Sequence, residues 1–492
     1  MRKSSKKNKS QAVSKVMAKK SRFVIVAVDF AKTTMKVQAF LDRETVAWKK
    51  GLNVENTSEG LAFLLEKLDN ICSKWRIQKE SVVFGGEDPA PYAMPFIESL
   101  KRHGFLFVAV NAKEASNNRD NTRASSDLLD LDGIAETMRK GIVRDIEASS
   151  SIYAELKQAC RSRQQALEME AQVENQIRRL VDLVFLGLLD DKSGVTPLGS
   201  VCLALLDAGL TSAKAQKMTD ATLLRLVRKS GAYKPEKVMH SLRDTASRAL
   251  EAPQDLSRLQ ETLRCKIATL RAIRAEIACE EGQMTRWLLQ TPCAWLLTIP
   301  GAGVILVANV VAELGDPARW RSIDQTFSYA GCAQRQKQTG GPGKGPYGLG
   351  LPWDCNHRLK NALLQLAYHA GTTPHQAGKT IGTEGRHRLQ QHYQKIEAKG
   401  GCSKLSTARL LLRIAFQMVR KETPYQPPWE GNAELPSKET RIAWMNAAIE
   451  TAISKVRKSD LGLDGIPTEN NRINAFRKFA KEYADAVDST FL

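Results

Sequence analysis

Four acidic residues have the types and the spacing of a site that binds divalent metal ions. Asp29 follows an apolar, β-branched run, and Glu87 follows a second, shorter run of the same kind. Asp127 and Asp130 are three residues apart, so on a helix they share one face. Mg²⁺ and Mn²⁺ prefer oxygen ligands, and two such ions stabilise the attacking and leaving oxygens in phosphoryl transfer. The pattern therefore predicts a metal-dependent site for phosphoryl transfer.

Each of these carboxylates also has a structural interpretation, and the sequence leaves these alternatives open. Asp29, at the end of a strand, can form a turn, Asp127 can cap the N-terminus of a helix, and Asp130 can lie on a solvated face. Three neighbouring acids compete for the same roles, namely Asp88, Asp120 and Asp132. The joint placement of the four residues, more than any one of them, favours the metal site.

The segments around these acids predict an α/β domain over residues 23–140. The predicted elements are strands over 23–28, 35–41 and 44–48, a helix over 57–74, a strand over 82–84, a helix over 92–103 and a strand over 105–110. A meander of three strands followed by alternating helix and strand is the order of an RNase H-like, or RuvC-like, fold. We expect this fold to bring the acidic side chains together.

Residues 141–291 predict a helical or coiled-coil region, because strand signals are scarce there. Apolar residues repeat at heptad-like spacing in two places, namely Val173, Ile177, Leu180 and Val184, and Leu263, Ile267 and Leu270. The stretch between them, residues 194–250, predicts a small helical insert. Two interpretations of the repeats remain open: the interior of an ordinary helical bundle, or an arm for dimerisation.

A third region, residues 292–423, begins with a glycine turn before an apolar helix. The sequence Ile-Pro-Gly-Ala-Gly at 299–303 precedes an apolar run over 304–314. This is the pattern of a helix-hairpin-helix turn, in which Gly301 and Gly303 allow backbone N–H groups to approach a DNA phosphate. A turn between two packed helices has the same sequence, so the motif alone is weak. The basic charge of the chain favours the DNA interpretation.

Composition narrows the class of protein further. Among 492 residues, 73 Lys and Arg against 53 Asp and Glu give a net charge of +20, which favours nucleic acid as a partner. Residues 1–22 predict a disordered basic arm that lies on phosphates, with a solubilising tail as the alternative. No apolar run reaches the ~18 residues of a membrane span. Nine scattered cysteines without a CxxC pair predict reduced thiols in a cytoplasm.

Two blocks of short motifs, one acidic and one C-terminal, occur together in this chain. The acidic block contains Val28-Asp29, Gly86-Glu87 and Ser126-Asp127-x-x-Asp130. The C-terminal block contains Leu297-x-Ile299-Pro300-Gly301-x-Gly303, Val311-Ala312-Glu313-Leu314-Gly315-Asp316-Pro317, Gln338-Thr339-Gly340-Gly341 and Asn356-x-Arg358-Leu359-Lys360. Together they resemble the DEDD-type insertion-sequence transposases, which are bridge-RNA-guided recombinases with a RuvC-like domain and a C-terminal transposase domain. The resemblance covers about residues 23–422, and its C-terminal block is the more specific.

The resemblance implies a composite active site. The acids Asp29, Glu87, Asp127 and Asp130 would bind Mg²⁺ or Mn²⁺, and a serine hydroxyl in the C-terminal loop would attack a DNA phosphate to form a covalent intermediate. It also implies donor and target DNA and a guide RNA as partners, and a homodimer or homotetramer as the acting form. The protein would be a cytoplasmic bacterial protein that is associated with the nucleoid when it acts.

The chain departs from the family pattern at the predicted nucleophile, because Thr339 occupies the position of the serine. A threonine hydroxyl can act as a nucleophile once it is activated, although its extra methyl group stiffens the side chain and crowds in-line attack. Ser328 is the nearby alternative, but it falls in a predicted helix over 325–330. Two further hypotheses stay open: a catalytically idle nucleic-acid-binding protein, and a RuvC-like metal-dependent nuclease that does not use Thr339.

The glycine-rich stretch 335–353 predicts a loop without regular structure. Its basic residues, and those on the following helix, are predicted to contact nucleic acid together with two of the glycines: Arg335, Lys337, Gly340, Gly341, Lys344, Arg358 and Lys360. A solvated basic face is the alternative. Residues 424–492 predict a linker and two accessory helices, over 438–457 and 470–487.

Overall fold

The computed structural model describes residues 23–41, 45–87, 91–119, 126–145, 152–250, 256–320, 322–333, 355–373, 388–425, 438–458 and 472–489, together with 336–337, 347–348 and Pro352. The chain forms two compact units, Met1–Ser151 and Ile152–Leu492. The predicted basic arm, residues 1–22, lies outside the described residues. In the described part of the chain, no helix is both long enough and apolar enough to cross a membrane.

The first unit is built on a six-stranded mixed sheet. Its strands are β1 Val24–Asp29, β2 Thr34–Phe40, β3 Leu52–Glu55, β4 Val82–Glu87, β5 Leu106–Val110 and β6 Val143–Asp145. They lie in the order β3-β2-β1-β4-β5-β6. Strand β1 pairs in parallel with β4, and β4 with β5, whereas the other pairs are antiparallel. An antiparallel meander followed by parallel strands confirms the predicted RNase H-like fold.

Helices cover both faces of this sheet, because the central strand β1 carries apolar side chains on both of its faces. The helices are α1 Ser58–Trp75, α2 Met94–Arg102, α3 Ala112–Asn117 and α4 Asp127–Arg139. The residues of β1 alternate between two cores: Val24, Val26 and Val28 pack with α1 and α2. Ile25 and Ala27 pack with α3 and α4. A strand that is buried on both faces has a continuous apolar sequence, which is why it could be identified from sequence.

The third strand is not where the sequence predicted it. Within 44–48, the described residues form only one bridge, from Val46 to Phe40, and β3 lies later, at Leu52–Glu55. The physical reason is the buried side chain of Gln38. Its amide donates to the carbonyl oxygen of Trp48 and accepts from the Trp48 N–H at 3.1 Å. The backbone groups of Trp48 are thereby satisfied by a side chain instead of a neighbouring strand.

The second unit begins with two long helices joined by a helical insert. The long helices are α5 Ile152–Val184 and α10 Ser257–Leu289, and the insert contains α6 Ser200–Asp207, α7 Ser212–Lys217, α8 Asp220–Lys229 and α9 Pro235–Arg248. The helices α5 and α10 pack along each other. Residues of both predicted heptad-like repeats, among them Ile177, Val184 and Ile267, are buried in one core with the insert. This burial within one chain favours the bundle interpretation of the repeats.

The rest of the second unit is almost entirely helical. Its elements are α11 Val304–Leu314, α12 Ile323–Tyr329, β7 Gln336–Lys337, β8 Tyr347–Gly348, α13 His357–Thr372, α14 Arg388–Ala398, α15 Ser403–Lys421, α16 Lys438–Lys458 and α17 Arg472–Ser489. The two helices predicted after residue 428 are therefore present. Both contribute to the core that α11, α13 and α15 share, because Ile453 and Phe476 are buried in it.

Candidate active site

Asp29 and Glu87 lie at the same edge of the sheet. Asp29 is the last residue of β1, Glu87 is the last residue of β4, and the parallel register of these strands pairs Val28 with Gly86. The carboxyl ends of neighbouring parallel strands are a common position for binding sites. Gly86 is needed there, because a Cβ on it would lie 2.7 Å from the carbonyl oxygen of Val28. The strand pair therefore presents two carboxyl groups side by side.

The helix α4 supplies the other two acids from its first turn. Its N-cap is Ser126, whose hydroxyl accepts a hydrogen bond from the N–H of Leu129 at 3.4 Å. The alternative role of Asp127 as the cap is therefore wrong, and its side chain is left exposed. Both Asp127 and Asp130 lie where the helix dipole favours negative charge. The helix packs against β1, so that its N-terminal acids come close to Asp29.

Electrostatic coupling connects the four carboxyl groups. Burial raises the pKa of Asp29 above its ordinary value, and the charges of Asp130 and Asp127 raise it further. Burial also raises the pKa of Glu87, with further upward effects from Asp29 and Asp130. A carboxylate shifts its neighbour in this direction only when the two are close, because like charges disfavour each other's ionised form. The structure thus places Asp127 and Asp130 near Asp29, and Asp29 and Asp130 near Glu87, and we call these four residues the acidic cluster.

The donor set of this cluster fits a hard divalent cation. All four groups are carboxylates, and Oδ1 of Asp130 is buried and has no hydrogen-bond partner among the described residues. A divalent cation would satisfy that oxygen and offset the mutual repulsion that, after burial, raises the pKa values of Asp29 and Glu87. In the part of the chain that the structure describes, no three His, Cys, Asp or Glu side chains form a group that could hold a metal ion as they stand. Binding of an ion would therefore require these carboxyl groups to move closer together.

A cation that sequence analysis did not identify lies in the same cluster. Nη2 of Arg119 is 2.6 Å from Oδ1 of Asp130, and Arg119 lowers the pKa of Glu87 against the stronger upward effects. Arg119 follows α3 in sequence, and no spacing rule relates it to the four acids. Of the competing acids, Asp132 lies in α4, two residues after Asp130. Asp88 and Asp120 lie outside the described residues.

The two glycines of the turn at 299–303 have different surroundings: Gly301 is packed closely against another helix, whereas Gly303 is open. Gly301 has a φ of +76°, and a Cβ on it would lie 2.4 Å from the carbonyl oxygen of His369 in α13. Packing within the chain therefore requires this glycine. Gly303 is the N-cap of α11, and nothing lies within 4 Å of a Cβ placed on it. Contact of a DNA phosphate with Gly301 and Gly303 remains a prediction. Of the two, Gly303 has the open surroundings that such a contact needs.

The glycine-rich loop is described only in part. Arg335, Thr339, Gly340, Gly341 and Lys344 lie outside the described residues. Gln336 and Lys337 pair with Tyr347 and Gly348 in a short antiparallel ladder, so the expectation of no regular structure over 335–353 is wrong at these positions. Hydrogen bonds between backbone groups form this ladder, and they do not depend on the side-chain propensities that the prediction used.

The two sides of this loop are held together at a loop neck formed by Tyr329, Gly331, Cys355 and Asn356. The backbone N–H of Asn356 donates to the Tyr329 carbonyl at 2.9 Å, and its side-chain amide donates to the Tyr329 hydroxyl at 3.0 Å. Gly331 has a φ of +64°, and a Cβ on it would lie 2.4 Å from Sγ of Cys355. The neck therefore fixes where the loop leaves and re-enters the fold.

Glu313 anchors the loop neck to the long helix α5. The Asn356 amide also donates to Oε2 of Glu313 at 2.9 Å, and the buried Glu313 carboxylate lies 3.4 Å from Arg161 and 3.9 Å from Lys157. The side-chain oxygen Oδ1 of Asn356 accepts from the N–H of Leu359 and so caps α13. Sequence analysis quoted Glu313 and Asn356 only as parts of motifs, and their contact depends on packing that the motifs do not express.

The two predicted cations on α13 have different surroundings. Arg358, in the first turn, is exposed. Lys360 is half-buried beside the loop neck, since its Cδ lies 3.6 Å from a Cβ built on Gly331. Ser328 lies within α12, as predicted. Arg358 is thus free to meet a phosphate, whereas Lys360 has a packing role available to it as well.

Comparison with known proteins points to one family. A family model of DEDD transposases of the IS110 type matches residues 26–186, and a model described as the transposase IS116/IS110/IS902 family matches residues 293–381. The uncharacterized 43.6 kDa protein of insertion element IS110 from Streptomyces coelicolor is 24% identical over 321 residues, which cover 63% of this chain and 75% of that protein. A candidate transposase for the mini-circle IS117, from the same organism, is 28% identical over 292 residues, or 56% of this chain and 68% of that protein. The first model match contains all four clustered acids.

Proposed function

Because this chain belongs to the IS110 family of DEDD transposases, we propose that it cleaves and rejoins DNA strands with a divalent metal ion held by Asp29, Glu87, Asp127 and Asp130. The observation that carries this proposal is the placement of Asp29 and Glu87 at one edge of the parallel pair β1–β4, with Asp127 and Asp130 in the first turn of α4, which packs against β1. A purely structural role gives no reason to gather four like charges at one edge of a sheet, because the repulsion costs folding free energy.

The residues of the cluster divide the work of such a site. Bound Mg²⁺ or Mn²⁺ would supply stabilisation of the charge that develops on the phosphate oxygens. Asp29 and Glu87, on adjacent rigid strands, hold their carboxyl groups at a fixed spacing. Asp127 and Asp130 approach from the first turn of α4, and the N-cap of Ser126 fixes where that turn begins. We propose that the first pair sets the position of the ion and that the second pair completes its ligands.

In this proposal the hydroxyl of Thr339 is the nucleophile. Its oxygen forms a bond to the DNA phosphorus while the bond from phosphorus to the leaving deoxyribose oxygen breaks, and the hydroxyl proton passes to that leaving oxygen. The basic residues Arg335, Lys337, Lys344 and Arg358 are proposed to hold the phosphate backbone. A guide RNA, a homodimer or homotetramer, and action at the nucleoid in the cytoplasm complete the proposal.

A denaturing gel tests this function directly. Labelled donor and target DNA are mixed with the full-length protein, Mg²⁺ and RNA transcribed from the flanks of the element. We expect a labelled protein–DNA adduct that resists denaturation, disappears in Thr339→Ala and in Asp127→Asn, and is lost when Mg²⁺ is chelated. An adduct of equal yield in Thr339→Ala would remove Thr339 from the mechanism.

The threonine itself favours a second candidate function, an idle nucleic-acid-binding protein. Its methyl group restricts the side-chain rotamer and hinders in-line attack on a phosphate. Thr339→Ser separates the two candidates, because a strong gain in adduct shows a competent but slow site. DNA binding on a native gel, without an adduct in either form, supports the idle protein. Metal-dependent cleavage that is the same in wild type and Thr339→Ala supports a nuclease.

A further inference from the structure

Arg119 places a positive charge inside the acidic cluster. Its Nη2 lies 2.6 Å from Oδ1 of Asp130, and the two side chains are only 15% and 23% exposed. The same guanidinium acts on Glu87, where it opposes the effects of Asp29 and Asp130. Arg119 therefore offsets part of the repulsion among carboxylates that come from three separate elements.

Packing between α3 and α4 determines where the side chain of Arg119 lies. Gly133 is one turn after Asp130 on the same face of α4. A Cβ on Gly133 would lie 2.4 Å from the carbonyl oxygen of Ala115 in α3 and 2.9 Å from Cγ of Arg119. Only glycine allows the two helices to approach so closely. The approach lays the aliphatic part of Arg119 along α4 and directs its guanidinium towards Asp130.

The ion pair leaves hydrogen-bonding capacity unused on both sides. Nε of Arg119 and Oδ1 of Asp130 are buried, and in the described part of the chain neither has a hydrogen-bond partner. The 2.6 Å contact brings the charges together but does not have hydrogen-bond geometry. An arginine in a structural pair commonly binds a carboxylate through two parallel hydrogen bonds. Asp130 is thus held by charge and not by a hydrogen bond, so a cation that displaces Arg119 can take over its oxygen.

We propose that Arg119 is the resident counter-ion of the acidic cluster and that it competes with the divalent metal ion for Asp130. The proposal rests on the proposed function, because it takes the four acids as the metal site. Four ionised carboxylates and one guanidinium carry a net charge of −3. Two divalent ions, as in two-metal phosphoryl transfer, change this to +1, which one phosphodiester charge neutralises. On metal binding Arg119 leaves Asp130 and becomes available to that phosphate.

The test measures Mn²⁺ binding to the full-length protein, with Mn²⁺ alone as the probe and the loss of its free-ion EPR signal as the readout. Arg119→Met keeps the aliphatic packing against Gly133 and removes the charge, and Arg119→Gln is the second variant in case the first fails to fold. We expect both to bind Mn²⁺ roughly 5- to 10-fold more tightly than wild type, because the competing cation is gone. In EDTA we expect a lower melting temperature than wild type, and a larger rise when Mn²⁺ is added.

Arg139→Met is the matched control. Arg139 lies on the same helix α4 and pairs with Glu136 at 3.4 Å, with exposures of 20% and 15%. Its guanidinium lies over Phe40, which pairs with Ile25 at the end of β1 opposite to Asp29. This variant should leave Mn²⁺ affinity unchanged.

The outcomes separate the two levels of inference. Tighter binding in both Arg119 variants, with no change in Arg139→Met, supports the counter-ion role. Unchanged or weaker binding in the Arg119 variants, while Asp130→Asn abolishes binding, overturns that role and leaves the metal site standing. Two results would overturn both the metal site and the counter-ion role. One is that the wild-type protein does not bind Mn²⁺, and the other is that the variants Asp127→Asn and Asp130→Asn bind Mn²⁺ as tightly as the wild type does.

Discussion

At the scale of single residues, Asp29 serves two opposed requirements. Its backbone completes the ladder of β1, where Asp29 pairs with Lys36. Its carboxyl group is partly desolvated by burial and is repelled by the charges of Asp130 and Asp127. Without a bound cation the ionised form therefore costs folding free energy, which the apolar strand behind it offsets. Such a conflict between stability and local chemistry is common at functional sites.

Asp29→Asn should accordingly stabilise the protein in EDTA while it abolishes the proposed strand cleavage. The pKa of Asp29 is raised in the folded state, so the gain is complete above that raised pKa and disappears as the pH falls below the ordinary pKa of an aspartate. We expect a rise of about 1–2 °C in the melting temperature of the first unit at pH 7.5 and none near pH 3. Calorimetry at the two pH values measures this, and a lower melting temperature at pH 7.5 would contradict it.

At the scale of elements, the loop neck shows how contacts at its two ends can hold a long loop in place. The side-chain amide of Asn356 joins Tyr329, on one side of the loop, to Glu313 on α11, and its Oδ1 caps α13. One side chain thus connects three helices, and Lys157 and Arg161 on α5 complete the surroundings of Glu313. The buried carboxylate needs these partners, because an unpaired buried charge is costly.

Asn356→Ser tests the neck, because serine is also a good N-cap but lacks the amide donors. We expect hydrogen exchange at Tyr329 and Gly331 to accelerate by roughly tenfold, while the first turn of α13 stays protected. Tyr329→Phe is the matched control, since it removes one hydrogen bond and keeps the contact between Asn356 and Glu313; its effect should be smaller. Exchange at Gly331 that does not change in Asn356→Ser would show that backbone contacts alone hold the neck.

At the scale of the whole molecule, the chain combines a surplus of positive charge with extensive internal packing. The net charge of +20 suits a partner that carries many phosphates. In the second unit, the C-terminal helices are part of the core: the Trp295 ring lies 4.5 Å from Phe476 and 5.1 Å from Phe479. The Lys455 ammonium donates to the carbonyls of Leu297 and Ile299, just before the glycine turn. These helices therefore support the turn.

Phe476→Ala should destabilise the second unit by about 3–4 kcal/mol, because the ring is fully buried and its removal leaves a cavity. Phe479, which is only partly buried, is the matched control, and Phe479→Ala should cost less. Urea denaturation followed by tryptophan fluorescence measures both. Equal and small losses for the two variants would mean that α17 packs only loosely on the unit.

The sequence by itself determined the strands that lead to Asp29 and Glu87, because burial on both faces leaves a local pattern, and it indicated that Asp127 and Asp130 share one face of a helix. The parallel order of β1 and β4 then requires the two acids to share an edge. Tertiary structure alone decided the place of Arg119, since it depends on the close approach of α3 and α4 at Gly133. It also decided the later start of the third strand, where Gln38 satisfies Trp48, and the inclusion of the C-terminal helices in the core. Contacts between residues far apart in the chain determine these features, so the local periodicity of the sequence does not predict them.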